Sequence, residues 1–189
     1  MTKQRVYIFR VGDVSSDLLD NAALAIKENL PFDVEVLIYP QKLQPPISTF
    51  DWERMQYVAS ALVFGLVSKL GIKLKPYEKA IFVVNADAYE PPLNFVFGIA
   101  LPSIGSGAVF LPRLRNETYG LPPDYNALIS RLRKEVLHEL GHLYGLEHCP
   151  NPRCVMAFSN SINEVDAKGE EYCERCRRLL ESFIEGFER

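Results

Sequence analysis

The chain has 189 residues, is 48% hydrophobic and carries a formal net charge of −3. That length and apolar content suit one well-buried core rather than two independent domains. The mildly acidic balance offers nucleic acid no general attraction, and the most apolar stretch, Tyr57–Val67, falls far short of the ~20 residues a membrane span needs.

Taken in chain order, Arg5–Val11 reads as a strand, entered directly from the first residues with no secretory signal, so the expected setting is cytoplasmic. Ser16–Leu30 reads as a helix, with Leu19, Ala22, Ala23, Ile26 and Leu30 along one side. Val34–Tyr39 is a second strand. The stretch from there to about residue 48 holds Pro40, Pro45 and Pro46, which exclude helix and central strand. A long helix is expected over Asp51–Leu70, with Met55, Val58, Leu62 and Leu66 inward. Lys79–Val84 is a third strand. Phe95–Ala100 and Ala108–Leu111 are a fourth and fifth, split around Gly105 and Gly107. Strands alternating with helices predict an α/β sheet.

Pro122, Pro123 and Asp124 mark the start of the next helix, with Asp124 as N-cap. Leu128, Leu132, Val136 and Leu140 then recur every fourth residue, flanked by Ile129 and Leu143, which predicts a helix packed beneath the sheet. Gly145 reads as its stop, because glycine takes positive φ without a Cβ penalty. The last helix, Glu170–Phe187, carries Leu179, Leu180, Phe183, Ile184 and Phe187 at helical spacing and is expected to dock on a lower lobe. Its basic residues Arg175, Arg177 and Arg178 are interleaved with glutamates and read as a solvated face.

All three histidines fall in the window from His138 to His148. On a helix, His138 and His142 lie on one face a turn apart, so both imidazoles reach a single Zn²⁺. Glu139, beside the first, is placed to handle a water molecule at the metal rather than the metal itself. A continuing helix would aim His148 away from that face, whereas a turn at Gly145 lets the chain double back and present His148 as third ligand. Three protein ligands leave a fourth position open, the mark of a catalytic zinc. Met156, eight residues after His148, matches a Met-turn passing beneath the metal.

The four cysteines, Cys149, Cys154, Cys173 and Cys176, all lie in the last part of the chain. Two short-loop pairs have the spacing of a four-thiolate zinc site. Two disulfides are the alternative, and a redox-active CxxC a third reading that leaves Cys149 and Cys154 unexplained; an intracellular setting favours metal. Cα atoms of His148 and Cys149 are ~3.8 Å apart through their peptide bond, so the thiolate site is expected to hold the third histidine ligand in place.

The run from His138 to Met156, followed by Cys173-Glu174-Arg175-Cys176, resembles the archaemetzincin family of metzincin-type zinc peptidases, which adds four motif cysteines to the extended histidine pattern. The likeness is strong over residues 138–176 and looser upstream, at Asn94–Ala100 and Leu111–Leu114. Sixteen residues separate Met156 from Cys173, one fewer than the family spacing, a loop deletion easily absorbed. The resemblance implies a metzincin-like α/β (α+β) fold: a mixed twisted N-terminal sheet flanked by helices, one of them zinc-binding, with a small C-terminal Cys₄ lobe. It implies one catalytic domain over 1–189, with an upper lobe at 1–145 and a lower lobe at 146–189, and two zinc ions, one catalytic on the histidines and one structural on the cysteines. In metzincins an edge strand above the metal binds extended substrate antiparallel, which here points to Phe97, Gly98 and Ala100.

The expected function is zinc-dependent hydrolysis of a peptide or protein substrate, with Glu139 as general base, by a monomer that engages neither nucleic acid nor membrane. The rivals are a non-catalytic zinc protein that holds peptides, a zinc amidase acting on a small molecule, and a Cys₄ interaction module that would leave the histidines idle.

Overall fold

A computed structural model describes residues 3–186. Its main sheet has five strands in the order β2-β1-β5-β8-β7: β1 is Gln4–Val11, β2 Val34–Leu43, β5 Glu78–Val84, β7 Gly98–Leu101 and β8 Ser106–Phe110. All neighbours are parallel except β7, which runs antiparallel to β8 and forms one edge. The central strand β5 is buried at every position, as a sheet covered on both faces requires. Its side chains alternate between two cores. Ile81 and Val83 join Val6 and Ile8 on one side; Ala80, Phe82 and Val84 join Phe9 and Val11 on the other.

Helices α1 (Ser16–Asn29) and α3 (Tyr125–Leu143) cover the first face, and α2 (Ala59–Leu70) covers the second. The Ser15 side chain caps α1 by accepting from the Leu18 N–H, and Asp124 caps α3 by accepting from the Ala127 N–H at 2.9 Å. The α3 stripe is buried as expected, with Leu132, Val136 and Leu140 at 0% exposure. A short helix α4 (Ile162–Ala167), closed by a Ser161–Glu164 capping box, and the final helix α5 (Glu174–Gly186) complete the chain. Leu180 and Ile184 of α5 join the α1–α3 core, while Leu179 is exposed and Phe187 lies outside the described residues. No helix among the described residues is long and apolar enough to cross a membrane.

Three expectations are corrected. The helix expected over Asp51–Leu70 starts only at Ala59. Before it, β3 (Phe50–Asp51) and β4 (Gln56–Val58) form a hairpin that joins β6 (Ala88–Tyr89) in a small second sheet. The Asp51 carboxylate accepts from the Glu53 and Arg54 N–H groups, a local turn that competes with helix, and Met55 takes φ 56° and faces solvent. Strand β2 runs past Pro40 to Leu43 through a register shift against β1; as an edge strand it tolerates the missing N–H. The strand expected over Phe95–Ala100 begins at Gly98, because the preceding residues turn towards the second sheet, where the Val96 N–H donates to Ala88 O.

Candidate active site

Helix α3 ends at Leu143, and Gly145 takes φ +93° to reverse the chain. The Leu146 N–H donates back to Gly141 O at 2.9 Å, closing the turn. This returns His148 to the face carrying His138 and His142. The three ring centroids lie 4.7–5.4 Å apart, and one nitrogen from each imidazole falls within 4.8 Å of the others. His138 Nδ1 sits 2.8 Å from Val155 O and His142 Nδ1 sits 2.7 Å from Leu146 O. A carbonyl only accepts, so Nδ1 carries the proton in both rings and each Nε2 presents a lone pair.

Those two Nε2 atoms are 3.2 Å apart. Burial pushes the pKa of His138 well below the ordinary 6.5, helped by the Lys168 ammonium, and burial lowers His142 and His148 as well. Neutral imidazoles therefore face one another lone pair to lone pair. That arrangement suits a shared cation, and the all-nitrogen donor set with a fourth side facing the cleft suits Zn²⁺.

Glu139 follows His138 and points under β7. It is 5% exposed, and burial, reinforced by Glu135 and opposed by Lys168, raises its pKa well above 4.5. Its carboxylate fits because residue 98 is glycine: a Cβ there would lie 2.5 Å from Glu139 Oε1 and 2.8 Å from Ala108 O. The imidazoles and Glu139 line one cleft of about 720 Å³. Phe97, Gly98 and Ala100 line the same cleft, on and just before the edge strand. Phe97 is mostly core, its carbonyl accepting from the Phe110 N–H.

Met156 is fully buried against Gly141 of α3, where any Cβ would collide with the Met156 sulfur. The Cys149 N–H donates to Met156 O at 2.9 Å, tying the cysteine loop to this turn. The four cysteines are unpaired, and their sulfurs lie within 4.8 Å of one another. Cys149 and Cys173 Sγ are 3.7 Å apart, well beyond a disulfide bond, and Cys154 Sγ receives the Cys173 and Met156 N–H groups. One gathered set of sulfur donors fits a tetrathiolate site better than two bonded pairs.

The sequence matches peptidase family M54 over residues 10–182. This chain belongs to the archaemetzincin family. The archaemetzincin of Pyrococcus furiosus is 41% identical over 95% of this chain and 93% of that one, and that of Pyrococcus abyssi is 42% identical over 93% and 94%. Among solved structures, a zinc-dependent peptidase from Methanocorpusculum labreanum shares the fold with a TM-score of 0.83 at 32% identity, over 93% of this chain and 99% of that chain. The archaemetzincin of Methanopyrus kandleri gives 0.79 at 33% identity, over 97% and 96%. Archaemetzincin membership makes the chain a zinc metallopeptidase with the mixed α/β fold of that family.

Around this archaemetzincin centre stand residues that sequence reasoning passed over. Gly141 has a local signal, since a glycine inside a helix is costly unless something packs against its Cα. Tyr172, 2% exposed, donates its hydroxyl to Leu137 O at 2.6 Å and braces α3 from below. Glu135 and Lys168 form an ion pair of 2.9 Å beside His138 and also line the cleft. Nothing in their sequence surroundings marks either as buried, because their partnership is made only by the fold.

Proposed function

We propose that this archaemetzincin hydrolyses peptide bonds at a zinc held by His138, His142 and His148, with Glu139 as general base. The convergence of three imidazoles, two of them with the tautomer pinned by a backbone carbonyl, on a cleft that also contains a buried carboxylate carries this reading. When bound, zinc supplies a Lewis acid for the scissile carbonyl and for water. Glu139 accepts the proton of the attacking water and hands it to the leaving amine; a carboxyl whose pKa is raised by burial suits both halves of that transfer. The edge of β7 offers unpaired backbone groups to an extended substrate, with Phe97, Gly98 and Ala100 along it.

We further assign Cys149, Cys154, Cys173 and Cys176 to a second, structural zinc, which requires reduced thiols and so a cytoplasmic setting. The chain is one catalytic domain, acting as a monomer on peptides and on neither nucleic acid nor membrane. Its lobes are 1–145 and 146–189, divided after the turn at Gly145, with the histidine cleft drawing on both.

Peptide-library profiling on protein of measured zinc content tests the proposal, with Glu139→Gln as control. The expected outcome is cleavage by the wild type, and retained zinc with turnover reduced to background in the variant. Near wild-type hydrolysis by Glu139→Gln removes Glu139 from the role. Zinc-loaded wild type that cleaves no peptide turns the reading towards a peptide-holding protein or a small-molecule amidase.

A further inference from the structure

The Lys168 side chain is 1% exposed and that of its partner Glu135 is 4% exposed. Burying two charges is costly, and replacing such a pair by apolar residues of similar volume is often neutral or stabilising. Stability alone therefore does not account for it. Nor does docking of α4, which is secured separately. Arg131 grips the Asp166 carboxylate with two bonds of 2.7 Å, and Lys134 donates to the Val165 and Asp166 carbonyls.

The position of the ammonium is more telling. Lys168 Nζ lies 2.9 Å from Glu135 Oε1, 3.4 Å from Ala157 O and 3.4 Å from His138 Nδ1. Glu135 precedes His138 by about one helical turn on α3. Val155, whose carbonyl receives the His138 Nδ1–H, and Ala157 are the two residues flanking Met156. A single side chain thus touches the metal-binding helix, the turn beneath it and the edge of the imidazole.

We propose that Lys168 and Glu135 are positioning residues for His138. The ammonium braces α3 against the Val155–Ala157 turn, which keeps Val155 O in line with Nδ1–H. Packed on that edge, it also blocks a ring flip that would exchange Nδ1 for a carbon. Nε2 is thereby held towards the cleft. This rests on the reading that the three histidines hold zinc.

The test is chelator competition on the zinc-loaded full chain, counting zinc equivalents, with thermal unfolding of the metal-free form measured in parallel. Glu135→Met/Lys168→Met removes both charges and leaves no lone buried ion. The double variant is expected to unfold near the wild-type temperature when metal-free and to keep its thiolate-held equivalent. It should bind the histidine-dependent equivalent ~10-fold or more weakly, as lost support behind a ligand typically does. Glu135→Gln keeps the shape of the side chain but leaves the Lys168 ammonium without its counter-charge, and is expected to weaken the same equivalent. Wild-type affinity in whichever of the two folds overturns the proposal. His142→Ala separates the two readings: if it binds as many zinc equivalents as the wild type, the histidine site itself falls, and this inference with it.

Discussion

At the scale of single residues, the centre is governed by what glycine permits. Gly98 and Gly141 each sit where a methyl group would strike a functional neighbour: the Glu139 carboxylate in one case, the Met156 sulfur in the other. Gly98→Ala forces either Glu139 or the β8 backbone at Ala108 to move. Overpacking of this kind typically costs ~1–3 kcal/mol, and a displaced base lowers kcat more than it raises KM. Steady-state kinetics and thermal unfolding check this together; a Gly98→Ala protein with unchanged kcat and midpoint refutes the close packing. Residue 98 was legible in the sequence as a small residue on a strand expected to face substrate. That it makes room for the Glu139 carboxylate was not, because Glu139 and Gly98 lie far apart in the chain and meet only through packing of β7 on α3.

At the scale of elements, the unit that matters is α3 with the irregular loop that follows it. The helix was fully legible: cap, apolar stripe and stop are local properties of consecutive residues. The loop from Leu146 to Met156 has no regular structure of its own and depends on tethers. The Cys149 N–H bonds to Met156 O, the Val155 N–H bonds to Glu171 O, and the Cys154 sulfur accepts from the Cys173 N–H. Thiolate ligation would lock these same residues. Cys173→Ser is therefore expected to lower zinc occupancy at the histidines as well as at the cysteines, read as total zinc per chain falling by more than one equivalent. Loss of a single equivalent, with tight histidine-dependent zinc and full activity, would show the two sites to be independent. The hairpin before α2 illustrates the opposite case. An apolar pattern over 51–70 is compatible with helix, but Asp51 and Gln56 find better partners in a distant segment: the Gln56 amide donates to Asp87 and to Asn94 O.

At the scale of the whole molecule, folding desolvates three imidazoles and a carboxyl with opposite consequences for acid stability. The histidines have folded pKa values below 6.5, so their contribution is fully present above that pH and is lost as pH falls and the unfolded chain takes up more protons. Glu139 has a raised folded value, so its contribution is present at low pH and lost as pH rises through that value. In metal-free Glu139→Gln the imidazoles are the desolvated groups of this cluster left to titrate. Its thermal midpoint is expected to hold steady close to neutral pH and to fall from about pH 6.5 downward. At neutral pH it should exceed that of metal-free wild type, because a neutral amide replaces a buried acid. A midpoint flat across that window would contradict the desolvation of His138 and His142.

Short stretches of residues already carried the candidate metal donors: their types, their spacing on one helix face, the glycine that turns the chain, and the cysteine pairs that make the family recognisable. These are local facts, since ligand geometry on a helix follows from its pitch and a turn from one residue's φ. The surroundings of those donors, by contrast, come from packing in three dimensions. The edge strand over Glu139, the methionine under Gly141 and the Lys168–Glu135 brace behind His138 join residues distant in the chain. Their contacts exist because two faces of one sheet and the loop after α3 must fill the same space without voids, a constraint that no short window of residues records.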